Sequence, residues 1–93
     1  MRLIWAPEAL QDRLSVYRYI AKANPQAALK IDAMFERGAE RLTRHPELGR
    51  RSRVAGSREL VVHSNYFLVY EIASDAIHIT AVVHTARQWP PLI

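Results

Sequence analysis

Arg58-Glu59-Leu60-Val61-Val62-His63, then Tyr66-Phe67-Leu68-Val69-Tyr70-Glu71-Ile72, then Ile77-His78-Ile79-Thr80-Ala81-Val82-Val83-His84: these three runs decide the fold. All are rich in β-branched and aromatic residues, which pack well on a pleated surface. They are parted by Ser64-Asn65 and Ala73-Ser74-Asp75, and breaks this short join antiparallel neighbours. The runs predict a three-stranded antiparallel meander. Successive side chains of a strand point to opposite faces, so Ile77, Ile79, Ala81 and Val83 are expected on one side and His78, Thr80, Val82 and His84 on the other. One face is then core and the other half polar, as in a sheet covered on one side only. A partner or substrate is expected on the uncovered face.

Upstream of the meander, Arg2-Leu3-Ile4-Trp5 is long enough to pair with it as one more strand. Pro7 suits the first turn of a helix, and Glu8 beside it favours the positive end of the helix dipole. Leu10, Leu14, Tyr17 and Ile20 or Ala21 then recur at helical spacing as one apolar stripe. Asn24-Pro25 ends this helix and caps the next. The second helix carries Ala28, Ile31, Phe35, Ala39 and Leu42 on one face, with Lys30, Arg37, Arg41 and Arg44 mostly elsewhere, and His45-Pro46 stops it. Two helices joined by a tight turn form an αα-hairpin able to cover one sheet face. The expected fold is α+β, in the order β-α-α-β-β-β, with residues 1–93 as a single domain.

A chain of 93 residues holds one modest core. No apolar run is long enough to span a bilayer, and Pro7 and Glu8 interrupt the N-terminus too early for a secretory signal. With no cysteine, thiol chemistry and disulfides are excluded, and a cytoplasmic protein without membrane contact is expected. The net charge is +4, and eleven arginines stand against only Lys22 and Lys30. Five of them, Arg44, Arg50, Arg51, Arg53 and Arg58, fall in one segment opposite the single acid Glu47. Such a segment is either a solvated basic loop or a contact for nucleic acid or an acidic protein.

The scattered glycines make no phosphate loop, the four histidines lack metal-ligand spacing, and no serine has the setting of a nucleophile. No metal and no cofactor are expected. What remains is a cationic site with histidine beside it. His84 is expected on the open face with His78, Arg87 follows as the chain leaves the sheet, and Arg58 lies across the sheet from it. Metal-free cleavage of RNA needs a base, an acid and positive donors for the phosphate, and these residue types suit it. The alternatives are a strand-end His84 bonded to backbone, a structural His78, and a Trp89 that plugs the sheet edge rather than stacking on a base.

The Pro7-Glu8-Ala9 opening, the His45-Pro46-Glu47-Leu48-Gly49-Arg50 hinge, Gly56-Ser57-Arg58-Glu59-Leu60, Phe67-Leu68-Val69-Tyr70 and Val83-His84-Thr85-Ala86-Arg87-Gln88-Trp89-Pro90 stand in the right order along almost the whole chain. Together they resemble the RelE/ParE toxin superfamily. That resemblance implies the toxin of a bacterial type II toxin-antitoxin module. Its partner would be a cognate antitoxin that couples a DNA-binding domain to an acidic segment, so that operator DNA is met only through the antitoxin.

The superfamily divides by target. RelE-like members cleave mRNA on the ribosome, and the resemblance then implies Arg58, His84 and Arg87 as the catalytic set, with Arg50, Arg51, Arg53 and His78 binding nucleic acid or antitoxin. This chain departs from that pattern in having no lysine in the basic loop and no tyrosine after Tyr70. Proton chemistry would rest on His84, because arginine stays charged. ParE-like members poison DNA gyrase by a protein contact and need no nuclease set. A non-toxic nucleic-acid-binding module is the third alternative.

Overall fold

In the computed structural model, which describes residues 1–91, Arg2–Trp5 forms β1 and the chain turns at Ala6 into α1, Pro7–Ala21. Pro7 opens that helix, with Glu8 in its first turn and Arg18 in its last, each where the helix dipole favours its charge. Asn24 caps α2, Pro25–Arg44, by accepting the Ala27 N–H at 3.1 Å. The short β2, Arg50–Arg51, leads to β3, Arg58–His63, then β4, Tyr66–Ala73, and β5, Ala76–His84. The β-α-α-β-β-β order therefore holds, with β2 as an addition. Two residues of the segment expected to be all loop pair antiparallel with β3, Arg50 opposite Glu59 and Arg51 opposite Arg58.

The sheet order is β1-β5-β4-β3-β2, with β1 parallel to β5 and the other pairs antiparallel. Both helices lie on one face. Phe35, Ala39 and Leu42 of α2 pack there against Leu60, Leu68, Tyr70, Ile77 and Ile79. Burying each large apolar side chain contributes roughly 1.5–3 kcal/mol, so this layer holds the fold.

Three expectations are corrected. On α1 the buried residue is Ala9, with Val16 and Ile20 packed on the core, while Leu10 and Leu14 stay 49% and 42% exposed. The small Ala9 lets the helix approach the sheet, and the leucines are turned away from it. On β5 the strict alternation fails at Thr80. Tyr70 pairs with Ile79 and Val69 with Ala81, so Thr80 is an extra residue, a bulge that reverses which face each later side chain meets. Val82 joins Ile77 and Ile79 on the helix side, while Ala81 and Val83 form a second cluster with Phe67 and Val69 on the other face. Trp89 packs on that cluster, so it covers a sheet face rather than an edge.

Two polar devices fix the helices. Arg13 of α1 forks onto Asp32 at 2.6 and 3.0 Å and reaches Glu36 at 2.7 Å, both on α2, with its guanidinium 4.8 Å from the Trp5 ring centre. Asp12 accepts the Val82 N–H at 3.0 Å, satisfying β5 beyond the point where β1 ends. No helix among the described residues is long and apolar enough to cross a membrane.

Candidate functional site

The basic segment is organised by one acid. Glu59 is only 8% exposed and receives Arg50 at 3.1 Å through one carboxylate oxygen and the Ser52 hydroxyl at 2.9 Å through the other. Ser52 in turn accepts the Val54 N–H, and its own N–H bonds to the Ser57 carbonyl. Gly56 makes the turn with a φ of 82°, a conformation that glycine adopts without strain. Composition showed the arginines of this loop but not that Glu59 is its anchor.

A second knot of bonds closes the start of β2. The Tyr70 hydroxyl donates to the Pro46 carbonyl at 2.6 Å and accepts the Gly49 N–H at 3.0 Å. Arg58 donates to the Gly49 carbonyl at 2.8 Å. Gly49 is needed there because a Cβ would stand 2.6 Å from the Glu59 carbonyl and 2.8 Å from the Tyr70 hydroxyl. Burial is the main cause that raises the Tyr70 phenol above its ordinary range; the Gly49 N–H and the Arg58 charge oppose it.

His84 lies elsewhere. It stands opposite Tyr66, the rings edge to face with centres 5.1 Å apart, and its Nδ1 accepts the Ala86 N–H at 3.0 Å. The Thr80 bulge places it on the helix side, so the expectation that it shares the open face with His78 is wrong. His78 does face that way, opposite Glu71. A cleft of about 340 Å³ is lined by His84, Arg87, Tyr66, Tyr19 and Asp12. The Tyr66 phenol is raised, chiefly by burial and then by Tyr19. Asp12, Tyr19 and Tyr66 were not singled out from the sequence, since helix α1 and the first residue of β4 carry no motif that joins them.

The candidate residues thus fall into three places. Arg51 and Arg58 line a hollow of about 410 Å³ beside the β2 turn. Arg50, Arg53 and Arg87 border a smaller one of about 220 Å³ on the open face, next to Trp89. His84 occupies the helix-side cleft, and Arg87 touches both of the last two. Arg58 pairs with Tyr70 and His84 with Tyr66, four positions apart on β4. That separates them by about 13 Å along the strands and about 10 Å across them. Arg58 and His84 do not share one concavity. Chemically, the arrangement offers separate cationic surfaces and, at His84, an imidazole whose Nε2 makes no hydrogen bond among the described residues, rather than a single ring of donors around a phosphate.

The family model of the ParE toxin of type II toxin-antitoxin systems matches residues 3–89. The chain is 34% identical to Toxin RelE2 of Caulobacter vibrioides over 92% of its own length and 97% of that protein. It is 32% identical to the protein Y4kP of Sinorhizobium fredii, over 99% of this chain and 96% of the other. Among solved structures, the chromosomal ParDE system of P. aeruginosa superposes with a TM-score of 0.81 at 23% identity, covering 90% of this chain and 95% of that one. These likenesses extend the agreement in fold to nearly the full length.

Proposed function

The chain belongs to the ParE toxin family of type II toxin-antitoxin systems, and from that premise we propose that it arrests growth through a protein contact on DNA gyrase and does not cut RNA. The observation that carries this reading is the dispersal of the cationic set. Cleaving a phosphodiester without metal requires base, acid and phosphate donors around one scissile bond, held to within fractions of an ångström. Arg58 is committed to the Gly49 carbonyl, Arg50 to Glu59, and His84 lies apart from both. A toxin that works by occupying a protein surface has no such requirement.

Members of this family pair with antitoxins, and the YoeB-YefM complex of Staphylococcus aureus has a chain of related fold, with a TM-score of 0.54 at 19% identity, covering 89% of this chain and 94% of that one. For this chain the proposed partner is a cognate antitoxin with an acidic segment, drawn to a protein whose net charge is +4. Operator DNA would be bound specifically through that antitoxin. The proposed place of action is the cytoplasm, where gyrase works.

One observation favours a second reading. The cleft that gathers His84, Arg87 and Tyr66 sets an imidazole beside a fixed positive charge, the elements of a weak ribosome-dependent mRNA interferase. Purified toxin distinguishes the two. With gyrase, ATP and plasmid, supercoiling is expected to stop and cleaved plasmid to accumulate, while message on translating ribosomes stays whole. Cut message with unaffected supercoiling would reverse the assignment.

A further inference from the structure

The outer face of α2 carries a charge pattern that none of the sites above uses. At 3.6 residues per turn Lys30, Arg37, Arg41 and Arg44 fall in one narrow stripe, opposite the buried Phe35, Ala39 and Leu42. All four are exposed. The stripe is about 21 Å long at 1.5 Å per residue. Two carboxylates of the same helix, Asp32 and Glu36, are turned aside to Arg13 and do not neutralise it. Glu40 flanks the stripe but forms no ion pair with Arg37 or Arg44 among the described residues.

Cations in the last turn complement the helix dipole, which gives Arg41 and Arg44 a structural reason. Lys30 and Arg37 have none of that kind. Placing Arg37 and Arg41 four residues apart sets like charges side by side, which weakens a helix. The four cations stand on the solvent face of a helix that packs on the sheet through its opposite side, with Glu40 the one acid beside them, and their row is complementary to a row of phosphates.

We propose that this face of α2 binds the phosphate backbone of duplex DNA, independently of any antitoxin. B-form DNA has a major groove about 12 Å wide that admits an α-helix, whereas the major groove of A-form RNA is too deep and narrow. The long side chains of the stripe reach phosphates from a helix lying along that groove or on its rim. The contact is independent of sequence, because no base-reading pattern accompanies the charges.

The test uses free toxin and a 20-base-pair duplex of arbitrary sequence, about two helical turns and so longer than the stripe, with affinity followed from ~50 to ~200 mM salt. Each phosphate contact contributes about 0.9 to the slope of log affinity against log salt. The double variant Arg37→Ala with Arg41→Ala is expected to lower the slope by about 2 and to weaken binding at low salt about tenfold or more. A control that removes the same charge elsewhere, Arg2→Ala with Lys22→Ala, is expected to keep the parent slope. Both alanine pairs lie on exposed positions, and unchanged circular dichroism verifies the fold. Equal losses in the two variants, or none in either, would overturn the proposal. Binding of an RNA duplex of equal length as tightly as DNA, with the same dependence on α2, would overturn the assignment to DNA.

Discussion

Arg58 donates from Nη1 to the carbonyl oxygen of Gly49 at 2.8 Å, nine residues back along the chain. An arginine that charge alone would assign to a phosphate is thereby engaged in holding its own loop against the sheet. Arg58→Ala is expected to lower stability by about 1 to 2 kcal/mol, the lower part of the range for bonds to charged donors because the site is half-buried. Arg58→Lys should recover only part of this, since the planar fork is lost. Denaturant unfolding measures both; an alanine variant as stable as the parent would show that the bond contributes nothing.

Tyr70 sets an alkaline limit. Its phenol and that of Tyr66 are raised, in both cases mainly by burial. The folded protein then holds these protons more tightly than the unfolded chain does. Their contribution is complete below the unfolded-chain value of about 10 and is lost as pH rises through the folded values. Stability is expected to decline above about pH 10. Tyr70→Phe, which strands the Gly49 N–H and the Pro46 carbonyl, should cost about 1 to 3 kcal/mol at neutral pH and flatten the alkaline decline. Identical declines for parent and variant, read from unfolding midpoints across pH, would contradict the role given to Tyr70.

Arg13 joins the two helices. Its side chain is 17% exposed and meets Asp32 and Glu36, themselves 33% and 49% exposed, so part of the ion-pair energy is screened by water. Arg13→Ala is expected to cost about 2 kcal/mol, from the charge-assisted bonds and the lost packing on Trp5. Thermal unfolding of Arg13→Ala, Asp32→Asn and the double variant gives the coupling; strictly additive losses would mean that the pair does not act as one unit.

His84 separates the two target readings. Under the gyrase proposal His84→Gln should arrest growth as the parent does, because no proton passes through the imidazole. Losing a general acid or base would lower activity by about a hundredfold or more. A drop of that size in growth arrest, with antitoxin binding kept, would move the working site to the helix-side cleft.

Much of the architecture was legible because it rests on local chemistry. Asn24-Pro25 combines a capping side chain with a proline suited to a first helical turn, and the runs Tyr66–Ala73 and Ala76–His84 are dense in β-branched and aromatic residues between short polar breaks. The site was less legible for a specific reason. One extra residue at Thr80 exchanges the faces of Val82, Val83 and His84, and no side chain announces a bulge. On α1, Leu10 and Leu14 outweigh Ala9 in any apolar stripe, yet closeness to the sheet favours the smallest side chain. The partners of the arginines were hidden for a third reason: Gly49, Glu59 and Tyr70 act on Arg50 and Arg58 only once the strands are in register.

On the proposed function, this toxin stops DNA metabolism through a protein contact. The most direct measurement follows methionine and thymidine incorporation side by side in the first minutes after induction in living cells. Thymidine incorporation is expected to fall first, with induction of the DNA-damage response, while methionine incorporation continues. A prompt fall in methionine incorporation with DNA synthesis still running would contradict the claim and make the His84, Arg87 and Tyr66 cleft an RNA-cleaving site.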